Sequence, residues 1–132
     1  EWNKNYLLTQ TVPGIGKVTA SVFIMITWNF RRLLDAKKLS SYCSMAPFKY
    51  QSGTSLNTRA RTSRKGDKRL KTLLQLAVYN AQRSDPELKA YAERLENQHK
   101  PALLIANNIR NKLIKRVIAV VKRQQPYVIQ EL

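Results

Sequence analysis

Between Asp67 and Arg83 the apolar residues Leu70, Leu73, Leu74, Ala77, Val78 and Ala81 stand at i, i+3, i+4, i+7, i+8 and i+11. Only an α-helix gathers those positions on one side, so this stretch must bury a face against other helices. A second stripe runs from Ala102 to about Arg123, with Ala106, Ile109, Leu113, Val117 and Val120 in line and Ile114, Ile118 and Val121 beside them. So wide an apolar surface either centres a bundle or also serves a partner subunit. Between the two, Asp85-Pro86-Glu87 has the form of a helix start: an acceptor cap, proline at the first position, an acid in the first turn. Leu88, Tyr91, Ala92 and Leu95 then repeat at helical spacing until the Asn97–Lys100 connection. Toward the N-terminus, residues 1–10 read as a short helix, and Asp35 as the cap of another over Ala36–Cys43. The fold class is all-α.

The helices are interrupted at two informative places. The first is Thr11–Ala20, TVPGIGKVTA, whose glycines permit a tight turn immediately before an apolar helix. This is the form of a helix-hairpin-helix. Its second helix would point free backbone N–H groups outward beside Lys17, a seat for phosphate built from Gly14, Gly16 and Lys17. A plain connector between packed helices is the alternative. If Gly16 needs positive φ, a β-branched replacement there strains the turn. Neither GxGxxG nor GxxxxGK[ST] occurs, which excludes dinucleotide and P-loop readings.

The second interruption is Pro47–Lys71. It opens with the hydroxyl-rich Gln51-Ser52-Gly53-Thr54-Ser55 and continues with seven cations, Arg59, Arg61, Arg64, Lys65, Lys68, Arg69 and Lys71, against the single acid Asp67. Phe48 and Tyr50 alternate as an extended pair would, so residues 48–61 form a loop or a short β-hairpin. The chain as a whole carries 24 Lys+Arg against 8 Asp+Glu, a net charge of +16 on 132 residues. A surface so charged repels itself and seeks polyanions, above all nucleic acid. A solvated basic face is the bland alternative. Lys68, Arg69 and Lys71 fall in the first turn of the following helix, the wrong sign for its dipole, so an outside anion or solvent must compensate them.

Several chemistries are excluded. The eight acids form no cluster suited to two metals, and Asp85 and Glu87 read as helix capping. His99 is the one histidine and sits in a connection, so no serine finds a Ser-His-Asp partner. The lone Cys43 makes no internal disulfide, reads as a small core residue, and fits a reducing compartment. No apolar run approaches the roughly 20 residues of a spanning helix, so no membrane partner is expected. The chain begins Glu1-Trp2-Asn3 and reads as a piece of something longer.

Three segments taken in order, TVPGIGKVTA, LDAKKLSSYCSMAPFKYQSGTS and TSRKGDKRLKTLLQLAVYNA, closely resemble the C-terminal domain of the insertion-sequence 110/116/902 transposases, relatives of the Piv invertase. The resemblance covers about residues 8–122, with Ser44-Met45 where Gly-Leu is usual and Asp67 where Asn is common. It implies a cytoplasmic, bacterial DNA recombinase whose site has two parts. An N-terminal RNase-H-like domain brings four acids and Mg²⁺, and this domain brings a serine that links covalently to DNA phosphate. Ser52 matches the family's SG serine, with Ser55 the nearby alternative. Arg59, Arg61, Arg64, Lys65, Lys68 and Arg69 would then hold DNA, or a guiding bridge RNA, in a protein that acts as a homo-oligomer. The fragment alone would be inactive. The rival reading keeps only a non-catalytic helix-hairpin-helix module that binds DNA or RNA.

Overall fold

The computed structural model describes residues 2–43, 45 and 68–130. Within them the chain forms six helices: α1 (Trp2–Gln10), α2 (Lys17–Thr27), α3 (Ala36–Tyr42), α4 (Arg69–Ser84), α5 (Pro86–Asn97) and α6 (Ala102–Arg123). No strand occurs among the described residues. The all-α expectation holds, while the loop or hairpin anticipated at 48–61 lies outside the described residues. No helix among them is long and apolar enough to cross a membrane.

Helix α6 is the axle. It packs against α1, α3, α4 and α5, and buries Ile105, Ile109, Leu113, Ile114, Val117, Ile118, Val120 and Val121. Its wide apolar stripe thus serves the interior of the bundle, because four neighbours must each find an apolar strip on it. Lys122 and Arg123 in its last turn suit the negative end of the dipole, and Gln124 closes it in the left-handed conformation with hydrogen bonds to Val120 and Val121.

Helix α4 buries Leu70, Leu74, Ala77, Val78 and Ala81, and leaves Leu73 half-buried, as the periodicity demands. At its end, Asp85 both terminates α4 and caps α5, its carboxylate accepting a hydrogen bond from the Glu87 backbone N–H at 3.0 Å. Asp35 does the same for α3, accepting from Lys37 N–H at 2.8 Å and Lys38 N–H at 3.3 Å. Cys43 caps α3 at its C-terminal end and is fully buried, in keeping with a packing role.

The α1–α2 turn closes through backbone bonds from Thr11 to Leu8, Val12 to Thr9 and Ile15 to Val12. Val12, Pro13 and Ile15 are buried. The strained glycine is Gly14, at φ 91°, and not Gly16, which sits extended at φ −97° as the N-cap of α2. A Cβ on Gly14 would stand 2.8 Å from the Ala77 carbonyl oxygen and 2.9 Å from the Ala81 Cβ. Gly14 is therefore where the turn presses onto α4, and only glycine satisfies both the backbone angle and the close approach. A Cβ on Gly16 would meet nothing within 4 Å.

Two substitutions separate these roles. Gly14→Ala should cost roughly 2–4 kcal/mol, from the clash with the α4 backbone and the positive φ together. Gly16→Ser should leave stability equal or raise it by a few tenths of a kcal/mol, since Ser is a good residue for an extended N-cap. Urea denaturation of the two variants measures both; equal losses would mean that the turn does not bear on α4.

Candidate nucleic-acid interface

Helix α4 begins with cations. Lys68 is its N-cap and makes no side-chain cap hydrogen bond, Arg69 and Lys71 follow, and the first turn holds no acid. Lys68 and Arg69 are exposed, whereas Lys71 is half-buried. The Lys71 ammonium is held below its ordinary pKa by burial, and further by the charges of Arg110 and Lys68. The positive end of the α4 dipole and like charges thus meet at one place, an arrangement that a bound anion would stabilise.

Arg110 completes the group from α6. It is buried, although it lies among the apolar residues of the helix that centres the bundle. One Nη donates to Asn107 Oδ1 at 3.1 Å, and its Nε has no hydrogen-bond partner. Burial pushes this guanidinium below its usual range. Next to it, Asn111 donates to the Asn107 carbonyl at 2.9 Å and accepts from Ser40 Oγ at 2.5 Å, which ties α3 to α6. An unmatched buried guanidinium donor beside Lys71 is a cost to folding.

A second electropositive end belongs to α2. Gly16 and Lys17 are exposed, α2 has no side-chain cap, and its first helical hydrogen bond runs from Ala20 N–H to the Gly16 carbonyl at 2.9 Å. The amides ahead of Ala20 lack helical partners, as at any helix start.

The sequence-predicted residues divide accordingly. Lys68 and Arg69 stand at the α4 start, Gly16 and Lys17 at the α2 start, and Gly14 against α4. Ser52, Ser55, Arg59, Arg61, Arg64 and Lys65 lie outside the described residues. Arg110 was not anticipated. Its signal is a polar interruption, Asn107-Asn108 with Arg110-Asn111, in an otherwise apolar stripe.

Three of the described carboxylates, Asp35, Asp85 and Glu87, are committed elsewhere. Asp85, expected only to cap, is also fully buried and paired with Arg116, which reaches Glu87 at 3.0 Å as well. Asp35 is occupied by its cap. Among the described residues no group of three or more Asp, Glu, His or Cys converges, so these side chains do not fit a bound Mg²⁺. His99 is exposed in the α5–α6 connection, as a polar loop residue would be.

Comparison with known proteins bears on the same residues. The family described as transposase IS116/IS110/IS902 matches residues 6–93. The pilin gene-inverting protein of Moraxella lacunata is 30% identical over 128 residues, 96% of this chain and 40% of that protein. The protein of the same name from Moraxella bovis matches to the same extent. A Streptomyces coelicolor protein named insertion element IS110 uncharacterized 43.6 kDa protein is 30% identical over 84 residues, 64% of this chain and 20% of that protein. The chain spans about 40% of the length of the Moraxella relatives.

Arg110→Met tests whether the buried guanidinium is kept for a ligand. Removing an unsatisfied buried donor should leave the fold as stable or stabilise it by about 1 kcal/mol, while affinity for a polyanion such as heparin falls. Thermal melts and a binding titration report the two separately. A variant that loses stability and keeps its affinity would make Arg110 a structural residue.

Proposed function

The chain belongs to the IS116/IS110/IS902 transposase family, and from that premise we propose that it is the nucleic-acid-gripping, serine-bearing part of a DNA recombinase. The observation that carries the binding half of this reading is the cation group at the start of α4, where Lys68, Arg69, Lys71 and Arg110 gather with no acid in the first turn. A net charge of +16 supports it over a merely solvated helix end. The Moraxella relatives are named for inverting a gene, an operation on DNA, and duplex DNA is the substrate proposed here. Gly16 and Lys17 at the α2 start, with Gly14 fixing the turn, offer a second phosphate contact. Arg59, Arg61, Arg64 and Lys65 extend the grip along the backbone. A guide RNA and further copies of the chain are partners that the proposal takes over from the family resemblance.

The chemical half rests on Ser52. Its Oγ would bond to a DNA phosphorus as a deoxyribose oxygen leaves, with the cations stabilising charge on the phosphate oxygens. A serine hydroxyl needs a base; Asp35, Asp85 and Glu87 are occupied as caps or in ion pairs, and His99 is remote in sequence. In this proposal the proton goes to a carboxylate of a separate, acidic part. Metal-held carboxylates enter the proposal only from such a separate part. This chain alone binds and does not cut.

Two outcomes are expected. Duplex binding should weaken steeply with salt, with a slope of about −0.9 per phosphate in log K against log salt. Four to six contacts would give roughly −4 to −5. Lys68→Ala with Arg64→Ala should flatten it by about 2. An affinity indifferent to salt excludes the phosphate grip. In a longer protein that carries the acidic part, Ser52→Ala should abolish a covalent protein–DNA adduct and leave binding close to wild type, since phosphate contacts dominate affinity. Loss of the adduct in Ser55→Ala instead would move the nucleophile three residues on.

A further inference from the structure

The end of α2 holds a conformation that stability alone does not explain. Trp28, Asn29 and Phe30 stand consecutively at φ 52°, 57° and 62°, and Leu33 adds a fourth left-handed residue at 59°. None is glycine, and each such residue carries a steric cost. The surroundings enforce the turn on every side. Asn29 N–H donates to the Ile24 carbonyl at 2.8 Å, Phe30 N–H to Thr27 Oγ1 at 2.9 Å, and Arg31 N–H to the Thr27 carbonyl at 2.9 Å. The buried Asn29 side chain accepts from Asn5 Nδ2 at 2.9 Å. Phe30 stacks on Phe23 in the core, with centroids 6.4 Å apart.

The result of all this fixing is an exposed tryptophan. Trp28 remains 59% exposed, although its indole is the largest apolar group a chain can bury. The Arg32 guanidinium lies 4.0 Å from the Trp28 ring centroid and 5.4 Å from that of Tyr42, and its Nε is anchored to the Ile26 carbonyl at 2.8 Å. One face of the indole is thus backed by a fixed planar cation, and so high an exposure leaves the other open. Residues 28–38 add Arg31, Lys37 and Lys38, with Asp35 as the one acid, itself occupied in capping α3.

We propose that Trp28, backed by Arg32 and Tyr42, is a stacking platform for an unpaired nucleobase of a single strand. An aromatic plane held rigid beside cations is what base stacking with a phosphate tether requires. Stacking is indifferent to base identity, because every base offers a π face, so the platform recognises strandedness and not sequence. The site lies at the α2–α3 connection and uses neither the α4 cations nor Ser52. It rests on the nucleic-acid reading given above and adds to it a preference for locally opened strands, which DNA or RNA could supply.

Fluorescence provides the test, because the chain has two tryptophans. In a Trp2→Phe background Trp28 is the only indole, and its emission should be quenched as oligo-dT or oligo-U is added. Trp28→Ala should weaken single-strand binding about tenfold and change duplex affinity by less than about twofold, since phosphate contacts carry the duplex. Arg32→Lys, which keeps the charge and loses the plane, should fall between. Quenching by oligo-U alone identifies an RNA strand, by oligo-dT alone a DNA strand; either supports the platform. Emission unmoved by both strands, or equal single-strand affinity in wild type and Trp28→Ala, overturns it. If wild type binds neither duplex nor single strand, the nucleic-acid reading itself falls; if duplex binding persists while Trp28 stays silent, only the platform does.

Discussion

The carboxylate of Asp85 holds the bundle at its tightest corner. It is fully buried, it caps α5, and it pairs with Arg116 of α6. Arg116 also reaches Glu87, and its guanidinium lies 4.8 Å from the centre of the Tyr127 ring. Tyr127 in turn donates its backbone N–H to Thr11 Oγ1 at 2.9 Å, so the segment after α6 is tied to the α1–α2 turn. One buried acid therefore connects the α4–α5 elbow, the central helix, the C-terminal segment and the turn that bears on α4. Removing one partner of such a pair typically costs about 3–5 kcal/mol, because the other charge is stranded without water. Burial among these partners also lifts the Tyr127 hydroxyl pKa above its ordinary value, first by desolvation. The phenol stays neutral and its ring remains a partner for the cation.

Against that satisfied corner stands an unsatisfied one. The start of α4 concentrates like charge, holds Lys71 below its usual pKa, and leaves the Arg110 Nε without a hydrogen bond. Both corners involve an arginine of α6, six residues apart, yet Arg116 has two carboxylates and Arg110 only an amide oxygen. The difference is physical and directional. An arginine met by carboxylates is spent on the fold, and one left with an unmatched buried donor is a cost to it. Acids are thus placed where α5 and α6 must be locked, and none stands in the first turn of α4. The bundle carries that imbalance because its interior, closed around α6, supplies stability that the α4 end does not need to provide.

The left-handed run at Trp28–Phe30 follows the same logic in the backbone. Strain survives only where neighbours over-determine it. Here Thr27 accepts from Phe30 and donates to the Phe23 carbonyl at 2.6 Å, while Asn29 is held from α1. Phe30 is turned into the core and Trp28 out of it. Two aromatics two positions apart in the chain thereby serve opposite ends, one packing the bundle and one facing solvent.

Much of this architecture was legible in the residues themselves. Periodicity placed α4 and α6, and it identified their buried faces because burial on a helix repeats every 3.6 residues whatever the partner is. Asp35 and Asp85 were legible as caps, since an acceptor preceding a helix meets its amides locally. The glycine turn was legible too, but not which glycine is strained: Gly16 is extended, while Gly14 carries the positive φ and α4 leaves no room there for a Cβ. That fact depends on a helix more than sixty residues away and has no local trace. The Asp85–Arg116 pair, the isolation of Arg110 and the backing of Trp28 by Arg32 and Tyr42 escaped for the same reason. The family was readable from three ordered motifs, since those are runs of neighbours along the chain. Sequence alone determined which segments are helical, which faces are apolar and that the chain is strongly basic, because propensity, period and charge are local sums. Tertiary structure decided which cations are spent on the fold and which aromatic is left exposed, because those depend on what distant segments bring within hydrogen-bonding or stacking distance.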